Sequence, residues 1–268
     1  MSSTSTLRPR SVTEIVDAAF RILRAHYGSF VLLSAVAGFP YWAVIWFSGA
    51  YSFVADPAHL ATATRVPFFS AGVVLGLLMA GIWWAVGTAA IVVAASDAYL
   101  GHEVVPARAL GVAVRRWWRV LGAALLKGLA IGFGYILLLV GALWMAARYF
   151  ASLQVVLLED RPVVSSFNRS VALADNAKWR ILGALVIAYL VYVIISTTLS
   201  SIVGLFPVPL FVGAALRGAA YIFVSPIVGI VSTLLYYDMR IRKEALDLEI
   251  MASELDAGAV PAPAPSAG

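Results

Sequence analysis

Long apolar stretches separated by short polar segments dominate the chain between residues 30 and 237. A helix needs roughly 20 apolar residues to cross the hydrocarbon core of a bilayer. One stretch, Val120 to Leu158, is too long for one crossing and barely long enough for two. The other stretches can each cross once, at about residues 30–54, 69–96, 181–206 and 211–237. The pattern predicts an all-α, polytopic membrane bundle of five or six spans.

The polar segments between these stretches have a helical period. The first of these segments starts at Ser11. Its residues Ile15, Ala19 and Leu23 share one face, while charged residues occupy the other. Ser11 and Glu14 have the spacing of a capping box. Two further connectors run from Pro106 to Arg119 and from Pro162 to Arg180. We expect all three to be amphipathic helices that lie along the membrane surface.

The distribution of basic residues indicates how often the stretch from Val120 to Leu158 crosses. If it crosses twice, both termini and all three connectors share one side, and only Arg65 and Arg217 lie beyond the membrane. If it crosses once, the third connector and its basic residues move to the far side. The positive-inside rule favours two crossings, at 120–139 and 143–158, with a turn near 140–143. We therefore expect six spans in the cell membrane, arranged in three hairpins with both termini cytoplasmic.

The composition narrows the class of partner. The chain is 62% hydrophobic and 12% charged, with a mean hydropathy of +0.92, whereas soluble domains carry roughly 25% charged residues. It has no cysteine, which excludes disulfides, thiolate metal sites and thiol catalysis. The net charge is +5, and its basic residues flank the apolar stretches. This placement favours anionic membrane lipids, and a possible membrane-protein partner, over nucleic acid.

A hexapeptide recurs at the starts of two spans. Trp118-Arg119-Val120-Leu121-Gly122-Ala123 returns as Trp179-Arg180-Ile181-Leu182-Gly183-Ala184. Trp prefers the headgroup level and Arg can pair with lipid phosphate, so the repeat predicts a membrane anchor, with a specific headgroup site as the alternative. The residues expected at this lipid interface are Arg115, Arg116, Trp117, Trp118, Arg119, Trp179 and Arg180.

Each returning span ends in acid at the inner face. These acids are Asp97, then Glu159 and Asp160, then Asp238. We expect Asp97 and Asp238 to pair with connector arginines.

The sequence predicts three parts of the chain: a disordered N-terminus (1–10), an integral membrane domain (11–243) and a cytosolic helix with a disordered Pro/Ala tail (244–268).

Two basic residues fall inside apolar stretches. Lys127 lies in the third span, and Arg148 lies near the outer start of the fourth. Charges at membrane depth are costly and often functional. Both side chains can snorkel to an interface; alternatively, they line a polar cavity between helices and bind an anionic group. The pairs Gly72/Gly76 and Gly128/Gly132 have a spacing that favours close helix packing, within the bundle or, as the alternative, between two copies in a dimer.

Several segments resemble the glycerophosphoryl diester phosphodiesterase membrane-domain family. These are Leu7 to Ser11, the stretch from Val155 to Ala184 with Asn168-Arg169-Ser170 and Trp179-Arg180, and the run from Tyr236 to Glu244. The resemblance covers nearly the whole chain. It implies a membrane domain that, in the enzymes, is fused to a separate catalytic barrel. Where many members have Pro-Gly at the turn of the long apolar stretch, this chain has Gly141-Ala142.

The residues of that catalytic barrel are missing. The resemblance implies a His-Arg pair, but the histidines are followed by Tyr27, Leu60 and Glu103. Glu254-Leu255-Asp256 matches the barrel's Glu-x-Asp metal motif by chance spacing, and His102-Glu103 lacks the second His of a zinc site. We expect no catalytic residues, metal or cofactor, and hence a non-enzymatic protein.

Two functions remain open. The concentration of polar residues in connectors and tail favours a scaffold or accessory protein that acts through its basic cytosolic face. The alternative is a transporter or channel for a lipid or small solute. That alternative requires a cavity lined by Lys127, Arg148 or helices broken at Pro40 and Pro226.

Overall fold

The fold is an all-α bundle. The computed structural model describes residues 9–47, 71–136 and 138–244, and these residues contain no strand. In chain order the helices are α1 (Val12–Ala25), α2 (Tyr27–Phe47), α3 (Ala71–Tyr99), α4 (Pro106–Arg115), α5 (Trp117–Ile136), α6 (Leu138–Arg148), α7 (Ser152–Leu158), α8 (Val163–Ala174), α9 (Lys178–Gly204), α10 (Leu210–Val224) and α11 (Pro226–Glu244). The expected loop containing His59 and Arg65, the N-terminus before residue 9 and the tail after residue 244 lie outside the described residues.

Among the described residues, six segments are long and apolar enough to cross a membrane. They are Tyr27–Ile45, Val74–Tyr99, Trp117–Ile136, Leu139–Leu158, Lys178–Gly204 and Phe211–Glu244. The fourth segment comprises α6 and α7, and the sixth comprises α10 and α11. The chain is therefore a multi-pass helical membrane protein, and the long central stretch supplies two of its six candidate spans.

The central hairpin turns earlier than the sequence predicted. Helix α5 ends at Ile136 and α6 begins at Leu138, so the turn precedes the expected position at 140–143. Gly141 lies inside α6, where its carbonyl faces α5. A Cβ at Gly134 would stand only 2.7 Å from that oxygen. The glycines of this stretch thus serve a close backbone approach, and the expectation that Gly141-Ala142 forms the turn is wrong.

The connectors form the expected helices, and their apolar faces pack against other helices of the protein. In α1, the Ser11 hydroxyl accepts from the Glu14 amide, and the Glu14 carboxylate accepts from the Ser11 amide, which completes the capping box. Ile15 and Ala19 are fully buried where α1 packs against α9 and α11. Helix α4 likewise packs against α3. Periodicity identified the apolar faces, but their partner is mainly the bundle.

Prolines do not coincide with all of the helix breaks inside the spans. Pro40 lies inside the continuous helix α2, so the expectation of a break there is wrong. Pro226 begins α11 directly after the end of α10 at Val224, so the sixth span is broken there as expected. A further break, between Arg148 and Ser152, divides the fourth span into α6 and α7. No proline marks this second break.

The two glycine pairs behave differently. A Cβ at Gly76 would come within 2.9 Å of the Val44 side chain, so α2 and α3 do approach closely at this residue. A Cβ at Gly128 or Gly132 would meet nothing within 4 Å. The second pair faces open space on α5, and the expectation that it packs against a helix of the same bundle is wrong.

Candidate functional site: a cavity between the spans

A cavity of about 310 Å³ lies between the spans. Each of the six candidate spans contributes at least one polar side chain to its wall: Ser34, Thr88, Lys127, Gln154, Tyr189, Tyr192, Ser225 and Ser232. The remaining wall is apolar and includes Trp84, Ile91, Val92, Leu153 and Val228. An apolar pocket with a few convergent polar groups is the usual form of a small-molecule site.

Lys127 supplies the cation of this cavity. It is the eleventh of the twenty residues of α5 and therefore lies half-way along the span. Its ammonium group donates to the carbonyl oxygen of Phe150 over 3.4 Å, a long hydrogen bond. Phe150 belongs to the break between α6 and α7, where helical hydrogen bonding is interrupted. Among the described residues of the cavity wall there is no Asp or Glu to pair with Lys127.

Two buried polar groups in the wall are incompletely satisfied. The Gln154 side-chain amide donates to the Ser232 hydroxyl over 2.7 Å, while its Oε1 atom has no partner among the described residues. The Ser34 hydroxyl is also buried without a described partner. Both residues are 2% exposed. An unsatisfied buried polar group costs about 1–3 kcal/mol, so these groups favour a site that holds water or a polar ligand.

Arg148 does not line the cavity. It is the last residue of α6 and lies half-way along the fourth candidate span, rather than near its outer start as predicted. The prediction failed because the hairpin turn was placed too late in the chain. Ser170 of α8 caps the break beside Arg148: its hydroxyl donates to the Arg148 carbonyl and accepts from the Ala151 amide, each over 3.1 Å.

Acid–arginine pairs lie at one end of the bundle, next to the connectors. Asp97 pairs with Arg108 of α4. Asp160 pairs with Arg119 over 2.7 Å, and Asp238 pairs with Arg180 over 3.1 Å. The expectation that Asp97 and Asp238 pair with connector arginines is confirmed. Two of these arginines are those of the repeated hexapeptide.

Glu159 centres a second polar network at this end. It accepts from Arg169 of α8, from Arg161 and from the Tyr236 hydroxyl of α11. Arg169 also pairs with Glu244, and this hydrogen bond is the main reason that the pKa of Arg169 is raised. The network ties the third connector to the ends of the fourth and sixth spans.

The expected lipid-interface residues fall into two groups. Trp117, Trp118 and Trp179 are exposed, as interfacial anchors should be, and so is Arg115. In contrast, Arg116 and Arg119 both bind Asp160, and Arg180 binds Asp238. Arg119 also stacks over the Trp118 ring at 5.0 Å. Much of the connector charge is thus neutralised within the protein.

Sequence reasoning found Lys127 but missed the rest of the cavity wall. Gln154 carried a usable signal, since it is an isolated amide inside an apolar stretch and the sole glutamine of the chain. Ser34, Thr88 and Ser232 carried none, because serine and threonine are common in spans, where they bond to their own helix. Within the described residues, no cluster of three or more His, Asp or Glu side chains could hold a metal ion.

The six candidate spans define a multi-pass membrane protein, and a cavity with several polar side chains lies between them. Comparison of the chain with protein-family models, curated proteins and solved structures finds no match.

Proposed function

We propose that this protein binds a lipid-like or small solute in the cavity between its spans and carries it through the membrane. The observation that supports this is the convergence of polar side chains from all six candidate spans on one cavity. A transporter requires a cavity lined by Lys127, Arg148 or broken helices, and Lys127 and the break at Pro226 border this one.

The helix breaks support the same function. Secondary transporters bind solutes where spans are interrupted, because the freed backbone groups and flexible joints lie beside the site. Here the break between α10 and α11 places Ser225 in the cavity wall. The break between α6 and α7 places the Phe150 carbonyl against Lys127.

Water access to the cavity tests the proposal. The chain has no cysteine, so single-cysteine variants need no prior substitution. Thr88→Cys and Ser232→Cys place a thiol in the wall, and a water-soluble methanethiosulfonate reagent reacts with thiols that water reaches. Leu129→Cys is the matched control, since Leu129 lies two residues from Lys127 on the same helix and is 71% exposed on the outer surface of the bundle.

We expect both wall cysteines to react at least about tenfold faster than the control, because a thiol must ionise in water before it reacts. Equal rates at all positions would contradict a water-reachable cavity and hence the transport function.

A scaffold that acts at anionic lipid through the cytosolic face is the second proposal. Exposed Arg21, Arg24 and Arg115 favour it, together with the exposed Trp117 and Trp118. The corresponding test compares quenching of tryptophan fluorescence by brominated lipid in anionic and neutral vesicles, before and after Arg115→Gln. Equal quenching in the two lipids would mean that the tryptophans anchor the protein regardless of lipid charge, and would contradict this function.

We also propose that both termini are cytoplasmic in the cell membrane. Cysteines at Arg115 in the second connector and Val164 in the third suit the test, because both side chains are exposed. Neither should react with an impermeant thiol reagent added to intact cells, while one at His59 should. Reaction at Val164 alone would show that the central stretch crosses only once.

Membership in the glycerophosphoryl diester phosphodiesterase membrane-domain family is likewise proposed, for a chain without enzyme activity. The support is the set of sequence segments that resemble the family, together with the missing residues of its catalytic barrel.

A further inference from the structure

The cavity has the composition of a site for an amphiphile rather than for a polar metabolite. Its polar groups are a single cation, one amide and several hydroxyls, set among Trp84, Ile91, Val92 and other apolar side chains. A sugar or nucleotide would leave most of its polar groups facing this apolar wall, at the cost of unsatisfied hydrogen bonds. A ligand with one polar end and an apolar body matches both parts of the wall.

The charge of the polar end follows from Lys127. Within the described part of the chain, its ammonium group has one long hydrogen bond to a neutral carbonyl, and none of its three donors meets a carboxylate. A cation in an apolar surrounding is stabilised most by an anion. One lysine matches one negative charge, so a ligand with several charges would remain uncompensated.

Donor groups of Ser34 and Gln154 share the cavity wall with Lys127 and can bind a small planar anion. The unpartnered atom of Gln154 is its Oε1, which only accepts, but its Nε2 carries a second N–H besides the one donated to Ser232. Gln154 lies in the first turn of α7, directly after the break that holds Phe150. The Ser34 hydroxyl is a second buried group without a described partner. Hydroxyl and amide N–H groups can donate to the carboxylate oxygens that Lys127 leaves unfilled.

The size of the cavity limits the apolar part. Ligand pockets span roughly 300–1,000 Å³, and this one, at about 310 Å³, is at the lower end. A cavity of this size holds a single short chain, whereas the two acyl chains of a lipid would extend beyond it.

We infer that the ligand is a monoanionic amphiphile with one apolar chain, represented by a medium-chain carboxylate, and that Lys127 binds its carboxylate. This inference rests on the proposed function, since it assumes that the cavity is a ligand site. Lys127 then selects the anion, while the apolar wall binds the chain without regard to charge.

The test measures protection of a cavity thiol by ligand. Thr88→Cys in nanodiscs of neutral phosphatidylcholine is modified by the water-soluble thiol reagent in the presence of decanoate or of the uncharged decanol. We expect decanoate to slow the reaction at concentrations about tenfold or more below those needed with decanol, because only the carboxylate forms a charge-assisted hydrogen bond with Lys127. Equal potency of the two compounds would overturn the inference.

Lys127→Met in the same background removes the charge at nearly the same length. It should raise the half-protecting concentration of decanoate about tenfold or more and leave that of decanol unchanged, while Lys127→Arg should retain most of the difference. Lys178→Met is the matched control, because Lys178 lies over the Trp144 ring outside the cavity. Loss of decanoate selectivity in the control, or its retention in Lys127→Met, would contradict the assignment.

The outcomes separate the two proposals. A Thr88→Cys thiol that reacts with the reagent but is not protected by decanoate would refute the ligand class and leave a water-reachable cavity in place. A thiol that does not react would refute the cavity function and the inference together. Direct binding of radiolabelled decanoate to the unmodified chain, to Lys127→Met and to Lys178→Met gives the same comparison should the cysteine variant fail to fold.

Discussion

The second and third hairpins are closed by the same chemistry in different surroundings. In the hairpin formed by α5 to α7, Arg119 at the start binds Asp160 at the end; in the hairpin formed by α9 to α11, Arg180 binds Asp238. The Asp160 side chain is 60% exposed and the Asp238 side chain only 3%. Equivalent arginines of a repeated hexapeptide therefore make one surface ion pair and one buried pair.

The position of each acid relative to its helix explains the difference. Asp160 follows α7 in a loop, with a positive φ of 53° that turns the chain toward the third connector. Asp238 lies inside α11, which continues to Glu244, so its carboxylate remains within the bundle. There it also accepts from the Arg10 amide and from Arg242. The repeat places an equivalent arginine in both hairpins, but the length of the last helix determines whether its ion pair is buried.

Asp238→Asn should lower the free energy of unfolding more than any other change to these two ion pairs. Removing one partner of a buried ion pair leaves the other charge uncompensated and typically costs 3–5 kcal/mol. Because Arg180 and Arg242 are 27% and 35% exposed, we expect the lower end, about 3 kcal/mol. The measurement is the free energy of unfolding in mixed micelles. A loss no larger than that of Asp160→Asn would show that the two closures are equivalent.

Gly134→Ala should distinguish what holds the second hairpin together. A methyl group there would stand 2.7 Å from the Gly141 carbonyl, which must force α5 and α6 apart. Overpacking of this kind costs about 1–3 kcal/mol of unfolding free energy. Gly183→Ala in α9 is the control, because its Cβ would meet nothing within 4 Å.

We expect Gly183→Ala to leave stability unchanged or to raise it by up to about 1 kcal/mol, through higher helix propensity. Equal losses from the two substitutions would mean that helix propensity, rather than the α5–α6 contact, governs both hairpins.

Asp160→Asn should have the smallest effect. Exposed ion pairs contribute about 0–1 kcal/mol, and Arg116 and Arg119 can turn to solvent or lipid phosphate once the carboxylate is lost. The unfolding free energy should fall by less than about 1 kcal/mol, and the loss should shrink further when the ionic strength is raised. A salt-independent loss would mean that Asp160 is less accessible to solvent than its exposure indicates.

The sequence predicted the features that depend on local pattern. Span length follows from the length of each apolar stretch, the capping box from the spacing of Ser11 and Glu14, and the connector helices from hydrophobic periodicity. Each of these signals lies within a short segment of the sequence. The turn of the central hairpin was misplaced because Gly141 was taken as a turn residue, whereas its role depends on Gly134, which faces it from the neighbouring helix.

The candidate site was predictable only in part. Lys127 was recognisable as a charge in an apolar stretch, and Gln154 had the same kind of signal. The hydroxyls of Ser34, Thr88 and Ser232 can be recognised as site residues only in the folded structure, where three distant helices bring them to one cavity. Arrangement of this kind depends on helix rotation, which hydrophobic periodicity leaves undetermined in spans that are apolar on all sides.

The contact between Arg10 and Asp238 also constrains the order in which the protein is made. These residues are 228 positions apart, so at roughly 5–20 residues per second the ribosome needs about 10 to 45 s to reach the second after the first. Until α9 and then α11 have been made, α1 lacks the helices that cover Ile15 and Ala19. We therefore expect α1 to lie on the membrane surface while the later spans are made, and to pack against the bundle late in assembly.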